Sequence, residues 1–272
     1  MKQIKSVLTI AGSDSVGGAG IQADIKTIFS LGLYASSCIT AVTAQNTLGV
    51  KSIQAIDSNI LYDQITAVLQ DIMPDAIKIG MIYTKENVIA IKNALKDNNY
   101  NNYIVLDPVL VATSGDSLAK ADFLDTLKQE LFPLCNILTP NIPEAETLCN
   151  CKITSTDDMI ACGKNIIKTY GIKNVLIKGG HAHDNNMTDV LVFEDMTYKT
   201  FTAKKINSNN THGTGCTLSS AIASYLAKGL SIEDSVKQAK DYVYNAILHA
   251  KDMTMFKGHG STNHLWKFQS VI

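Results

Sequence analysis

Residues 6–24 read Ser6-Val7-Leu8-Thr9-Ile10-Ala11-Gly12-Ser13-Asp14-Ser15-Val16-Gly17-Gly18-Ala19-Gly20-Ile21-Gln22-Ala23-Asp24. The apolar run over 6–11 predicts a buried strand, and the spacing of Ile21, Ile25, Ile28 and Phe29 predicts a helix over 20–31 with those residues on one face. Between them, four glycines fall in the nine positions 12–20. A strand that turns through glycines into a helix lies at the carboxyl end of a sheet, where open α/β folds bind their ligands. Two nucleotide motifs fail on inspection. Gly12 and Gly17 have Walker A spacing, but Gly18 stands where lysine is required. The run 18–23 fits G-x-G-x-x-A, yet the next acid after Asp24 is Asp57, too distant for the ribose contact of a dinucleotide fold.

The same alternation continues outward. Strands are expected over 36–42, 76–79, 103–106, 136–138 and 175–177. Helices are expected over 59–72, 86–96, 122–132, 157–170, 214–227 and 231–250, with a hairpin at 190–193 and 198–201. The stripe of the second helix is Ile60, Leu61, Ile65, Val68, Leu69 and Ile72. Ser231 with Asp234 three positions on fits a capping pattern. Repeated β-α order predicts one α/β domain, a central mostly parallel sheet with helices on both faces.

Composition narrows the function. Of 272 residues, 46% are hydrophobic and 18% charged, which excludes a disordered chain. The net charge is −1 with no basic field, against a nucleic-acid binder. No run reaches the ~20 apolar residues of a membrane span, and residues 1–14 lack the form of a secretory signal. The six cysteines, Cys38, Cys135, Cys149, Cys151, Cys162 and Cys216, form no CxxC pair, so a reduced cytoplasmic protein is expected. All 24 cationic side chains are lysines, in keeping with a chain rich in Asn, Lys and Ile from an A·T-rich genome. With no arginine, an anionic ligand has to be held by backbone N–H groups, lysine, hydroxyls or a metal ion.

A second glycine-rich segment supplies such a device: Asn210-Thr211-His212-Gly213-Thr214-Gly215-Cys216-Thr217, directly before a helix carrying Leu218, Ile222 and Leu226. Gly213 and Gly215 allow close approach and positive φ, and the helix N-terminus attracts an anion. Cys216 falls in the first turn, where a lowered thiol pKa is expected.

Together the two segments resemble the ribokinase-like superfamily of small-molecule kinases. Further motifs narrow the likeness. Ala11 to Asp14 with Gly17 to Asp24, Thr43-Ala44-Gln45-Asn46-Thr47, Lys78-Ile79-Gly80-Met81 and Asp107-Pro108-Val109 are similar, in order, to the hydroxymethylpyrimidine/phosphomethylpyrimidine kinases of thiamine biosynthesis. Thr139-Pro140-Asn141 with Pro143-Glu144-Ala145, Lys178-Gly179-Gly180-His181, His212 to Cys216 and the tail Gly258-His259-Gly260 complete the series. Ser15-Val16 departs from the family's usual Pro-Ser. Cys216 stands where sugar-kinase relatives carry an aspartate.

The resemblance implies transfer from ATP to the hydroxymethyl oxygen of 4-amino-5-hydroxymethyl-2-methylpyrimidine, and then to its monophosphate. Gln45 would read the aminopyrimidine, since an amide offers a donor beside an acceptor. Asp24 and the backbone at Gly12 would help hold the substrate, and Met81 and Val109 would contact the ring faces. Cys216 would act as general base for the attacking hydroxyl, or as its hydrogen-bond partner. Thr211, His212 and the backbone of Gly213, Thr214, Gly215 and Cys216 would form the anion hole. Asp107 and Glu144 would hold Mg²⁺ largely through water, with Asn141 beside the phosphates and Lys178 on phosphate or in solvent. The phosphorylated second substrate needs another anion subsite, for which the amides of residues 17–20 are the candidate. Family members are usually homodimers.

Two other readings share these residues. The same scaffold and cysteine serve pyridoxal/pyridoxine kinases, and a non-catalytic vitamin-binding protein could keep the fold. His181-x-His183 with Asp184 looks like a metal cluster but lies in one polar loop, and Cys149-x-Cys151 reads as incidental.

Overall fold

The computed structural model describes residues 4–109, 121–179 and 186–268. The opening motif forms as expected, with strand β1 at Ser6–Asp14 and helix α1 at Gly20–Ser30. The chain continues through β2 (Tyr34–Asn46), β3 (Gly49–Ala55), α2 (Ser58–Asp71), β4 (Ala76–Ile79), α3 (Lys85–Asp97) and β5 (Tyr103–Leu106). Then come α4 (Ala121–Glu130), β6 (Ile137–Leu138), α5 (Ile142–Cys149), α6 (Thr156–Tyr170) and β7 (Asn174–Ile177). It closes with the hairpin β8 (Asn186–Phe193) and β9 (Tyr198–Lys204), α7 (Thr214–Ala227) and α8 (Ile232–Leu248). The strands make one nine-stranded sheet in the order β3-β2-β1-β4-β5-β6-β7-β8-β9. Strands β2 to β7 of that order run parallel, and the hairpin strands β3, β8 and β9 add antiparallel edges.

Alternation along each parallel strand divides the core into two layers. Leu8, Ile77, Ile104, Leu138 and Ile177 pack on one face with residues of α2 to α6, including Leu61, Ile91 and Ile166. Their chain neighbours Val7, Ala76, Val105, Ile137 and Leu176 pack on the other with α1, α7 and α8, including Ile28, Ile222 and Tyr242. This explains why the inner strands read as unbroken apolar runs.

Three expectations change. Strand β3 carries no apolar run because it is a half-exposed edge paired only with β2. Helix α5, only eight residues long, follows β6 and has no counterpart among the helices expected above. The apolar stripes are narrower than expected: Phe29 of α1 points outward, 72% exposed, while Ile21 and Ile28 are buried, and Ile60 and Ile72 at the ends of the expected second stripe are exposed while Leu61, Ile65 and Leu69 are buried. Ser231 does cap α8, accepting from Asp234 N at 3.1 Å. Gly180, His181, His183 and Asp184 lie outside the described residues. Among the described residues no helix is long and apolar enough to cross a membrane.

Candidate active site

The chain leaves β1 toward β2 on one side and later returns through β4 on the other, so the carboxyl ends of β1 and β4 flank a crevice. A cavity of about 500 Å³ opens there. Its floor and one wall come from the two glycine-rich segments. After a register shift at Ala11/Ser13, β1 ends in Asp14, whose carboxylate organises the turn that follows. Oδ1 accepts from Val16 N at 3.1 Å, and Oδ2 accepts from Gly18 N at 2.9 Å and Ala19 N at 2.8 Å. Gly17 N donates to the Asp14 carbonyl at 2.9 Å. These amides are already engaged, so the expectation that residues 17–20 supply a second anion subsite fails for 17–19.

The Asp14 carboxylate also meets His212 Nε2 at 2.9 Å, which ties the first segment to the second. Burial works to raise the Asp14 pKa, but the hydrogen bonds from His212 and the backbone outweigh it and hold the carboxyl below the usual range. The two segments touch so closely that a Cβ on Gly213 would overlap the Gly18 carbonyl, and one on Gly18 would strike the His212 ring. Gly213 caps α7 with φ 81°. Thr214 N is bonded to Thr211 O at 3.2 Å. Gly215 and Cys216 follow at the second and third helical positions, whose N–H groups have no intrahelical partner. Both residues line the cavity. The tail seats this segment from behind: His212 N donates to Gly260 O at 2.9 Å, and Gly258 and His259 amides bond to Thr47 at 3.1 Å.

The Cys216 thiol is not lowered, contrary to expectation. Burial pushes its pKa up to about 11; Lys78 opposes that shift, while Asp24 and Asp107 add to it. Lys78 and Asp24 are fully buried beneath the floor, with Lys78 Nζ 2.8 Å from Asp24 Oδ2. Thr9 and Ser220 hydroxyls donate to the same carboxylate at 2.6 and 2.7 Å. Asp24 is therefore a buried ion-pair partner and not a residue of the cavity wall, which corrects its expected substrate contact. The role of Lys78 is not visible in the motif that contains it, because nothing in a strand sequence says which polar residue meets a charge across the sheet.

The opposite wall is charged. Asp107 leaves β5, Asn141 leaves β6 and Lys178 leaves β7. Lys178 Nζ lies 2.8 Å from Asp107 Oδ1, which also accepts from Thr139 Oγ1 at 3.2 Å. Burial disfavours the Lys178 ammonium, but Asp107 and Glu144 overcome it and raise its pKa. Lys178 is thus paired, not solvated. Asn141 and Glu144 form a capping box at the start of α5, Glu144 N to Asn141 Oδ1 at 2.9 Å and Asn141 N to Glu144 Oε2 at 2.7 Å. The box holds the Glu144 carboxylate at the cavity edge. A Cβ on Gly215 would lie 3.3 Å from Asp107 Oδ2 and 3.5 Å from Lys178 Nζ, so the α7 N-terminus rests directly on this ion pair.

The remaining wall is mainly apolar. Met81, Val109, Val50 and Ile53 line it with Gln45, whose Oε1 accepts from Thr43 Oγ1 at 3.3 Å and whose Nε2 lies 3.4 Å from His212 Nε2. Gly12, Thr211, Asn141, Asp107, Glu144 and Lys178 all line the same cavity. Asp14, Ser13, Thr43, Val50 and Ile53 belong to it too and were assigned no role from sequence. The first three sat inside or beside quoted motifs, whereas Val50 and Ile53 lie on the unforeseen β3.

A helix N-terminus aimed into a crevice at the carboxyl ends of a parallel sheet, beside two carboxylates and a lysine, defines a small-molecule phosphotransferase. The family described as phosphomethylpyrimidine kinase matches residues 14–263, and the chain belongs to that family. It is 43% identical over 262 residues to the hydroxymethylpyrimidine/phosphomethylpyrimidine kinase of Bacillus subtilis, covering 96% of this chain and 95% of that protein. It is also 43% identical over 266 residues to the thiamine biosynthesis bifunctional protein ThiED of Geobacter sulfurreducens, of which the alignment spans about half, 53%. Among solved structures, the phosphomethylpyrimidine kinase of Clostridium difficile superposes with TM-score 0.79 at 45% identity, covering 89% of this chain and 99% of that one. The Staphylococcus aureus pyridoxal kinase, in complex with AMP-PCP and pyridoxal, superposes with TM-score 0.85 at 32% identity over 97% and 94% of the two chains. The fold is ribokinase-like, as expected, and the chain is a kinase rather than a binding protein without activity.

Proposed function

We propose that this chain transfers the γ-phosphoryl group of ATP to the hydroxymethyl oxygen of 4-amino-5-hydroxymethyl-2-methylpyrimidine, and then phosphorylates the monophosphate to the diphosphate. The observation that carries this reading is the meeting, in one cavity, of a neutral apolar wall around Gln45 with the α7 N-terminus and the Asp107–Lys178 wall. The pyrimidine lies against Met81 and Val109, with the Gln45 amide on its amino group and ring nitrogen. The Gly12 backbone borders the same position.

The phosphate chain of ATP runs toward the charged wall. The Gly215 and Cys216 N–H groups face the transferring phosphoryl group, supported by Gly213, Thr214, Thr211 and His212, and need no guanidinium. Lys178 supplies a point charge and Asn141 a hydrogen bond. Asp107 and Glu144 suit Mg²⁺, which uses few carboxylates and keeps several waters. When bound, that ion neutralises charge on the phosphate oxygens. The raised pKa of Cys216 leaves the thiol protonated at neutral pH, so its role is to position the attacking hydroxyl by hydrogen bonding before any proton moves. Asp24 with Lys78 sets the field beneath that thiol. The six free cysteines support a reducing cytoplasmic setting, and we propose a homodimer, as the family likeness implies.

The test is an ADP-release assay with the hydroxymethylpyrimidine and its monophosphate in the presence of Mg²⁺, run beside pyridoxal. Turnover of both pyrimidines with kcat/KM above that for pyridoxal supports the reading. Turnover of pyridoxal alone replaces it with the pyridoxal kinase reading.

A further inference from the structure

At the far end of α5 from the cavity, three of the six cysteines come together. Cys149 closes α5, Cys151 follows the cap residue Asn150, and Cys162 lies on the buried side of α6. Their sulfur atoms all lie within 4.8 Å of one another. In a continuous helix, residues two apart point to nearly opposite sides, which is why Cys149-x-Cys151 reads as incidental. Asn150 adopts a left-handed conformation, φ 50° and ψ 46°, which ends the helix and turns Cys151 back beside Cys149. The packing of α6 on α5 then brings in Cys162, whose Sγ lies 3.5 Å from Ala145 O, while Cys149 Sγ lies 3.4 Å from Cys162 O.

We propose that Cys149, Cys151 and Cys162 form a three-thiolate site for a thiophilic d¹⁰ metal ion, Zn²⁺ or Cu⁺, that ties the end of α5 to α6. Three atoms no more than 4.8 Å apart share a point within about 2.8 Å of each. Metal–thiolate bonds to Zn²⁺ are about 2.3 Å, so small side-chain rotations close the site. Sulfur ligands select soft ions over Mg²⁺, so the site is chemically separate from the carboxylates of the cavity. Cys162 is 3% exposed, Cys149 half-buried and Cys151 exposed, so the ion has a buried floor and an open entry. Zn²⁺ completes its four ligands with water on the Cys151 side, and Cu⁺ is satisfied by the three sulfurs. Binding displaces the thiol protons to solvent. The consequence is mechanical: α5 carries Asn141 and Glu144 at one end and the ion at the other, so its position against α6 is clamped. The site stands whether or not the substrate reading above holds.

The test uses the full chain, reduced, stripped of metal with a chelator and kept anaerobic, titrated with Zn²⁺ and separately with Cu⁺ against chromophoric competitors. One equivalent per chain is expected for at least one ion. Binding should weaken about 100-fold in the Cys149→Ser/Cys162→Ser variant and about 10-fold in Cys151→Ser, whose exposed side chain leaves folding intact. Metal should protect Cys149, Cys151 and Cys162 from alkylation, read by peptide mass spectrometry, and should raise the unfolding midpoint of the native chain, less that of Cys151→Ser, and least that of the double variant. Equal affinity in native and variant chains, protection mapped to other residues, or a disulfide among the three thiols in protein purified without oxidant would each overturn the proposal.

Discussion

The loop that follows β1 and the loop that precedes α7 are both glycine-rich, both open a helix and lie against each other. They use their backbone amides in opposite ways. In the first, Asp14 collects the N–H groups of Val16, Gly18 and Ala19, so the loop is a self-contained support. In the second, Gly213 turns the chain with φ 81° and leaves the amides of Gly215 and Cys216 at the cavity. A local acid decides the difference. Where a carboxylate sits inside the turn, the positive amide cluster is neutralised by the protein itself; where none does, it remains for a ligand. The loop after β1 acts through His212, which it holds in place for the loop before α7.

The predictions test this division from the largest effect down. Cys216→Ala should lower kcat about 1,000-fold while ATP binding, measured by calorimetry, stays within about two-fold; unchanged kcat removes Cys216 from the site. Gly213→Ala comes next. The left-handed backbone costs about 1–2 kcal/mol for alanine, and the Cβ also overlaps the Gly18 carbonyl. A loss of about 100-fold in turnover is expected because the α7 terminus is displaced.

Asp14→Ala leaves three N–H groups and His212 without their acceptor and should destabilise the fold by about 3 kcal/mol in urea unfolding. A silent Asp14→Ala would mean that the first loop does not depend on its acid. Since the folded pKa of Asp14 is lowered, its contribution is present above about pH 4 and is lost only as the pH falls through that lower value.

His264 separates the two loops by pH. It is buried 3.0 Å from Thr217 Oγ1 on α7, and burial, with Lys26 adding, pushes its pKa down to about 4. The unfolded chain then binds the proton first as pH falls below about 6.5. Stability should be full above that value and fall toward pH 4, with a loss of about 2 kcal/mol at pH 5. His264→Gln should flatten this window and leave the lower-pH Asp14 transition in place. The smallest effect is expected from Gly17→Ala, with φ 77° like Gly213 but only the flexible Lys26 Nζ, at 3.3 Å, near its Cβ. About 1 kcal/mol is expected with little change in kcat. Equal losses at Gly17 and Gly213 would show that backbone strain, not close approach, governs both.

Much of the candidate site was legible because each strand end is marked by a short motif. Asp107 before a proline, Asn141 after Thr139-Pro140 and Lys178 before a glycine each follow an apolar run, and a parallel sheet delivers all such ends to one rim. Gln45 was legible as a polar side chain after a strand, although β2 runs to Asn46, well past its apolar stretch. Asp24 was misplaced because a carboxylate one turn into a helix reads the same whether it faces a ligand or Lys78. Strand β3 was missed because an edge strand needs no apolar face, and α5 because eight residues carry too little periodicity.

The layered α/β architecture was readable from the order of residues alone, since two-residue and 3.6-residue periodicities encode which faces are buried. So was the need to hold any phosphate without arginine. Folding in three dimensions settles which glycine-rich amides remain at the cavity, that the Cys216 thiol is raised rather than lowered, and that Cys149, Cys151 and Cys162 converge. One cause underlies all three. Hydrogen-bond partners, desolvation and charge contacts come from residues distant in the chain, and local spacing carries no record of them.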